Sequence, residues 1–171
     1  VMEEGVIEKC SAYAAREHGD ARRALDLLRV AGELAERDNS LKISIKYIDE
    51  AENKIERDRI LDIIKTQPKQ QQLTTYSILE FYNKGKKIFT GEIYEYYLEL
   101  CKRVGLKPLT QRRVSDIIAE LDMLGIINAK VVSKGRYGRT REIQVLIPSS
   151  NLLKIEEALK EGLGIWILPV I

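Results

Sequence analysis

The sequence predicts a mainly α-helical protein with one small β-hairpin: a three-helix bundle followed by a winged helix-turn-helix domain. Apolar residues recur at helical spacing through most of the chain up to Gly125, which indicates a series of amphipathic helices. Further on, two strand-like runs flank a short connector that contains two glycines, which indicates a hairpin. The order helix, helix, short turn, helix, strand, turn, strand is typical of a winged helix.

Three helices are expected in residues 1–66. The first covers residues 3–18, the second runs from the cap residue Asp20 to about Glu36, and the third covers residues 44–65. Their apolar stripes are, in order, Val6, Ile7, Cys10, Tyr13 and Ala14; Ala24, Leu27, Leu28, Ala31, Leu34 and Ala35; and Ile48, Ala51, Ile55, Ile60, Ile63 and Ile64. Such stripes need partners, so these helices are expected to form a small bundle.

The second part of the chain follows a polar joint, "TQPKQQQ", in which Pro68 ends the third helix. Three helices are expected after it: over residues 73–83, from the cap residue Thr90 to residue 105, and from the cap residue Thr110 to residue 124. Strands are expected over residues 126–133 and 141–147, and a last helix over residues 150–162. The sequence thus predicts a bundle over 1–66, a winged helix over 67–162 and an apolar tail of unknown role over 163–171.

Charge divides along the chain in the same way. Residues 1–66 carry 12 basic and 15 acidic side chains, a net charge of −3. Residues 67–149 carry 14 basic and 8 acidic side chains, a net charge of +6. A basic module behind an acidic helical one indicates that the second part meets a polyanion.

Several classes of protein are disfavoured by the composition. Hydrophobic residues make up 44% and charged residues 32%, as in a soluble globular protein. The acidic start, "VMEEGVIEKC", does not resemble a signal peptide, and no run is long enough to span a membrane. A single histidine and two distant cysteines, Cys10 and Cys101, make a zinc site or a cysteine nucleophile improbable and indicate a reduced, intracellular protein.

The helix "TQRRVSDIIAELDML" is the candidate recognition helix. Its apolar stripe is Val114, Ile117, Ile118, Leu121 and Leu124. With that stripe facing the core, Arg112 and Ser115 lie on the opposite face and Arg113 lies at the edge. Cations at a helix N-terminus oppose the helix dipole, and DNA phosphate or guanine would offset that cost. An alternative is a solvated helix end whose arginines pair with Asp116 or Glu120.

The connector of the hairpin, "SKGRYGRTRE", is the candidate wing. Its cations surround Tyr137, and Glu142 is the only acid nearby. Such a tip repels itself in isolation, but beside a recognition helix it can contact phosphates and place an arginine in the minor groove. The alternative is a charged solubilising loop. The DNA-binding residues predicted from helix and wing are Thr110, Gln111, Arg112, Arg113, Ser115, Lys134, Arg136, Tyr137, Gly138, Arg139 and Arg141.

A third signal is "HGDARRALDLLR", where Arg22 and Arg23 occupy the first turn after the cap residue Asp20. A helix start with arginine can bind phosphate, but on physical grounds alone pairing of the two arginines with Glu17 and Asp26 within the bundle is favoured. No glycine-rich phosphate loop and no strand-borne acid for magnesium are present in the sequence. The chain by itself is therefore expected not to bind or hydrolyse a nucleotide through a phosphate loop.

Two stretches resemble a known family. "EHGDARRALDLLRVAGELAE" resembles the sensor-two region in the lid of archaeal replication initiators. "FTGEIYEYYLELCKRVGLKPLTQRRVSDIIAELDMLGIINAKVVSKGRYGRTREI" is similar to their C-terminal winged helix. The family is the archaeal origin-recognition and cell-division-control group of AAA+ ATPases, and the resemblance covers about residues 3–162.

The resemblance implies a role. Residues 1–66 would be the lid of the ATPase module, with Arg22 as the sensor of the nucleotide's terminal phosphate, and the remainder would bind double-stranded origin DNA. The full-length family implies ATP and magnesium as cofactors, with another initiator subunit and the replicative helicase as partners, in the cytoplasm at the nucleoid. The nucleotide-binding core is not in this sequence, so the chain by itself is not expected to be an enzyme.

Two alternatives remain beside this interpretation. One is a winged-helix transcription regulator whose helical part is a dimerisation arm. The other is an adaptor that uses its winged helix on protein and binds DNA only weakly and without sequence preference.

Overall fold

The structure is a computed structural model, and it describes residues 1–16, 20–133, 135 and 139–165. The chain forms two compact units, Val1–Arg59 and Ile60–Ile171. Helices predominate in both, and the second also contains a three-stranded antiparallel sheet. The predicted fold class is confirmed, with one more strand than expected.

The first unit is built on helices α1 (Val6–Arg16), α2 (Ala21–Arg37) and the larger part of α3 (Ile45–Thr66). Its buried core consists of Val6, Cys10, Leu27, Val30, Ala31, Ala35, Tyr47, Ile48 and Ala51. Asp20 caps α2 as predicted, because its carboxylate accepts a hydrogen bond from the backbone N–H of Arg22 at 2.9 Å.

The predicted core position of Ile7 is wrong, since this side chain is 56% exposed. The buried residues of α1 are Val6, Cys10 and Ala14, which repeat every four positions. Ile7 lies about 100° around the helix from Val6 and so points away from that line.

The end of α3 belongs to the second unit, where Ile60 and Ile64 are buried in its core. The boundary expected after residue 66 coincides with the end of this helix, whereas the compact units divide between Arg59 and Ile60. The two isoleucines continue the apolar stripe of the helix, so periodicity alone does not locate the division.

The second unit continues with α4 (Lys69–Asn83), β1 (Ile88–Phe89), α5 (Thr90–Val104), α6 (Gln111–Met123), β2 (Ile127–Ser133), β3 (Arg139–Val145) and α7 (Ser149–Leu163). The strand order is β1-β3-β2, with both pairings antiparallel. The buried side chains of α4, α5, α6, α7 and the sheet form one core. The helix-helix-helix-hairpin order of a winged helix is therefore present.

The polar joint expected at residues 66–72 is wrong in its second half, because α4 begins at Lys69 directly after Pro68. Two of its three glutamines bind backbone carbonyls outside the helix, and the third, Gln71, donates to the carboxylate of Glu120. Gln70 Nε2 donates to the carbonyl of Lys107 at 2.8 Å, and Gln72, only 6% exposed, donates to the carbonyl of Gln67 at 2.9 Å. Their polar character supplies partners for turns rather than a flexible linker.

Strand β1 was not expected, and it changes the role of Thr90. Ile88 and Phe89 pair with Ile143 and Glu142 of β3, so Phe89 rather than Thr90 is the residue before α5. The Thr90 hydroxyl makes no helix cap. It accepts from the N–H of Arg141 at 3.1 Å and donates to the carbonyl of Arg141 at 3.2 Å. The predicted cap is therefore a contact between helix and sheet.

The second strand of the hairpin begins two residues earlier than expected, at Arg139, which pairs with Ser133 of β2. It ends at Val145 rather than Ile147.

Cys10 and Cys101 are both free and buried, and burial raises the pKa of each thiol. Buried thiols of this kind behave as small apolar residues.

Candidate nucleic-acid interface

Helix α6 has the start and the faces that the sequence predicts. The Thr110 hydroxyl accepts a hydrogen bond from the N–H of Arg113 at 3.3 Å, which satisfies a free donor of the first turn. The face toward the core is buried and consists of Val114, Ile117, Ile118 and Leu121. Gln111 and Arg112 are exposed, and Ser115 is half-buried. The core stripe thereby fixes which residues of this helix face outward.

The turn before α6 is held by tyrosines of α5. Tyr97 Oη accepts from the N–H of Leu109 at 3.0 Å, and Tyr94 Oη donates to the carbonyl of Leu109 at 3.2 Å. Tyr97 also donates to the side chain of Gln70. Burial raises the pKa of Tyr97 to about 12, so its hydroxyl remains protonated at neutral pH. These contacts hold the turn that directly precedes α6.

The two arginines in the first turn of α6 are in different situations. Arg113 lies 3.3 Å from Glu120 and 4.0 Å from Asp116, which is the pairing that the alternative interpretation expected. Arg112 is exposed and forms no ion pair with any residue that the structure describes. Arg112 can therefore bind a ligand without breaking an ion pair to a described residue. Contact of Arg113 with DNA stays a prediction.

On the hairpin, Arg139 and Arg141 also differ. Arg139 is exposed at the start of β3. Arg141 is half-buried, and its Nη1 donates to the carbonyl of Ser115 in α6 at 3.1 Å. Arg141 therefore contacts α6 in this structure. The predicted wing residues Lys134, Arg136, Tyr137 and Gly138 lie outside the described residues, and their role stays a prediction.

A groove lies between the start of α5, the start of α6 and the hairpin. It is lined by Phe89, Thr90, Gly91, Glu92, Glu95, Gln111, Ser115, Val131, Arg139, Thr140 and Arg141. Four of the predicted DNA-binding residues, Gln111, Ser115, Arg139 and Arg141, thus share one surface. Thr110, Arg112 and Arg113 are at the start of α6 but do not line the groove itself.

Sequence reasoning missed the contribution of α5 to this groove. Glu92 and Glu95 lie three residues apart near the helix start, and Val131, 63% exposed, lies on the hairpin. The signal that places them there is the pairing of Phe89 with Glu142, which brings the start of α5 beside the hairpin. A strand of two residues has no alternation to detect, so that signal is weak.

The second predicted anion site is at the start of α2 in the first unit. Arg22 is exposed and forms no ion pair with a described residue, whereas Arg23 pairs with Glu52 of α3 at 2.9 Å. Asp26, one of the two acids in the alternative interpretation, lies 3.7 Å from Arg29. Glu17, the other expected partner, lies outside the described residues.

Within the described ranges, the structure shows neither a candidate metal site nor a candidate membrane span. No group of three or more histidine, cysteine or carboxylate side chains there is placed to hold a metal ion. In the same ranges, no helix combines the length and the apolar character that crossing a membrane requires.

The order of elements, the capped α6 and the adjacent hairpin agree with comparisons with known proteins. Residues 62–155 match the model for the CDC6 C-terminal winged helix domain, and residues 1–53 match the model for the Cdc6 AAA+ ATPase-type lid domain. The chain belongs to the Cdc6/ORC1 family. The predicted resemblance is confirmed, and the chain comprises the lid and winged-helix parts of such a protein.

Curated relatives in this family are named ORC1-type DNA replication proteins. The Pyrococcus furiosus protein is 54% identical over 156 residues, which are 91% of this chain and 37% of the relative. ORC1-type DNA replication protein 1 of Sulfurisphaera tokodaii is 48% identical over 168 residues, 97% of this chain and 42% of the relative. The chain therefore spans about two fifths of the length of these relatives.

A solved structure of the Aeropyrum pernix ORC1 protein in complex with DNA is similar throughout. It has 49% sequence identity and a TM-score of 0.84, and the match covers 94% of this chain and 41% of that protein. The CDC6P protein from Pyrobaculum aerophilum, at 16% identity and a TM-score of 0.50, shares the fold.

Proposed function

We propose that this chain binds double-stranded DNA at replication origins, as the lid and winged-helix part of an archaeal replication initiator. The observation that carries the proposal is the exposed Arg112 at the start of α6, which has no ion-pair partner among the described residues, beside a groove lined by Arg139 and Arg141. The Aeropyrum pernix relative, solved in complex with DNA, supports DNA as the ligand of this surface.

In this proposal α6 enters the major groove. A helix fits that groove, and an arginine near its N-terminus can bond both O6 and N7 of a guanine. Gln111 and Arg112 are two of the exposed side chains of the first turn, and they are proposed to read base edges. Gln111 would prefer adenine, whose N6 and N7 match its amide.

The hairpin is proposed to bind the DNA backbone and the adjacent minor groove. Arg139 is exposed at the base of the connector, and the sequence adds Lys134, Arg136 and Tyr137 to the same tip. Phosphate contacts of this kind raise affinity and fix register without reading sequence. The net charge of +6 over residues 67–149 favours the encounter with DNA.

For the first unit, we propose a role that depends on the ATPase core of a full-length protein. Arg22 would contact the terminal phosphate of ATP, whose magnesium ion would be bound by that core. The exposed position of Arg22 at the capped start of α2 supports this role. Another initiator subunit and the replicative helicase are the proposed partners, in the cytoplasm at the nucleoid.

The proposal is tested by selection from a random pool of duplex DNA with the wild-type chain at one stated salt concentration. We expect an enriched duplex, called the selected duplex below, that binds at least about tenfold more tightly than its shuffled version. Footprinting should then protect major-groove guanines. Selection without an enriched duplex contradicts the proposal. So does an affinity of the chain for single-stranded DNA that equals its affinity for the duplex.

A further inference from the structure

Three elements of the second unit are joined at one point beside the groove. The Thr90 hydroxyl, at the first residue of α5, is hydrogen-bonded to both the N–H and the carbonyl of Arg141 in β3. The Arg141 guanidinium in turn donates to the carbonyl of Ser115 in the middle of α6. We call these three residues the bridge.

The bridge connects surfaces that a winged helix uses separately. Ser115 belongs to the helix proposed to read bases, and Arg141 lies on the strand that supports the wing tip. A carbonyl inside a helix has two lone pairs, so Ser115 can accept from Arg141 while it also accepts its helix bond. The contact uses a charged donor, which makes it stronger than a neutral hydrogen bond.

Within the bridge, burial separates Thr90 from the ligand-facing residues. Thr90 is only 8% exposed, whereas Gln111, Arg112 and Arg139 are exposed. The Thr90 hydroxyl is buried and already both donates to and accepts from the backbone of Arg141, so we expect Thr90 to affect DNA binding through its neighbours. Arg141 is half-buried, and its bond to Ser115 orients the guanidinium toward the recognition helix.

We infer that Thr90 and Arg141 are positioning residues for sequence recognition: they set the placement of α6 relative to the hairpin, so that helix and wing engage one duplex together. The inference rests on the proposed function. It predicts that loss of the bridge lowers discrimination between DNA sequences, because base contacts need accurate placement, while phosphate binding tolerates small shifts.

The experiment measures affinity for the selected duplex and for its shuffled version over a range of salt concentrations, with the 171-residue chain. Thr90→Val keeps the shape of the side chain and removes the hydroxyl. Thr90→Ser keeps the hydroxyl. Thr75→Val is a matched control, because its buried hydroxyl donates only to the carbonyl of Gln71 in the same helix.

We expect Thr90→Val, which removes both hydrogen bonds to Arg141, to reduce the affinity ratio, selected over shuffled, by roughly 3- to 10-fold. The slope of log affinity against log salt should not change. Thr90→Ser should restore the ratio, and Thr75→Val should leave it at the wild-type value. A Thr90→Val ratio equal to that of Thr75→Val overturns the inference.

Arg141→Gln provides a second test and carries it alone if Thr90→Val does not fold. A positioning role predicts a reduced ratio with an unchanged salt slope. A slope that flattens by about 0.9 while the ratio is retained would make Arg141 a phosphate contact and overturn its positioning role. A wild-type chain without an enriched duplex contradicts the proposed function itself, and the two failures are therefore distinguishable.

Discussion

The first turns of α2 and α6 have the same local design. Each begins after a residue whose side chain caps the helix, Asp20 or Thr110, and each carries two consecutive arginines. In both, the first arginine is exposed and has no ion-pair partner among the described residues, whereas the second forms an ion pair. The same pattern thus leaves one cation to a ligand and uses the other internally.

The two ion pairs differ in what they connect. Arg23 and Glu52 join α2 to α3, and their side chains are only 14% and 24% exposed. Arg113 and Glu120 belong to the same helix and are 53% and 34% exposed. A pair across two helices with little solvent contributes to the bundle, while an exposed pair within one helix contributes little. Breaking the Arg113–Glu120 pair to bind DNA should therefore cost less free energy than breaking the Arg23–Glu52 pair.

The largest expected effect is that of Arg112→Ala on DNA binding. If Arg112 bonds a guanine, the variant should lose about 1–3 kcal/mol on the selected duplex and little on the shuffled one. Fluorescence anisotropy at fixed salt measures both affinities. An equal loss on the two duplexes would make Arg112 a phosphate contact, and no loss would remove it from the interface.

The second prediction concerns the paired arginines. Arg23→Ala should lower the free energy of unfolding by about 1–2 kcal/mol, because it leaves a half-buried carboxylate without its partner. Arg113→Ala should change it by less than about 0.5 kcal/mol. Urea denaturation followed by circular dichroism compares them. Equal losses would mean that the two ion pairs are equivalent.

The features that α2 and α6 share were visible in the sequence because they are local. A cap residue, apolar residues at helical spacing and adjacent arginines all lie within one segment, and Asp20, Thr110 and the α6 core stripe are where they were predicted. The structure adds Glu52 as the partner of Arg23, which the sequence does not reveal because it is 29 positions away.

The parts that were missed depend on tertiary contacts. Gln70 and Gln72 resemble a polar linker until the backbone carbonyls that they bind are known. Thr90 resembles a helix cap until β1 pairs with β3 and brings its hydroxyl to Arg141. In each case a polar residue with local alternatives hydrogen-bonds to a backbone group outside its own helix.

The third prediction concerns the hairpin, which lies beside α6 and is a further difference between α6 and α2. The double variant Arg136→Ala plus Arg139→Ala should weaken binding to selected and shuffled duplexes alike. Each lost phosphate contact should flatten the salt slope by about 0.9. An unchanged salt slope would contradict the proposal that the hairpin binds phosphates. A melting temperature that falls as steeply as the affinity would mean that these arginines stabilise the fold instead.

The smallest effect is expected for the exposed arginine of α2. Arg22→Ala should leave affinity for the selected duplex within about twofold of wild type, because Arg22 is in the first unit and is proposed to serve a nucleotide. Calorimetry should detect no micromolar ATP binding to either protein, since no phosphate loop is present in the chain. Micromolar ATP affinity of the chain alone would contradict this division of roles.

The central claim, that α6 reads base edges in the major groove, is tested most directly by pairing a protein change with a base change. Each guanine of the selected duplex is replaced in turn by 7-deazaguanine, which lacks the N7 acceptor, and affinities are measured with wild type and with Arg112→Ala. The account predicts one guanine at which the two changes are not additive, with a coupling of about 1–3 kcal/mol. Additive losses at every guanine would contradict it.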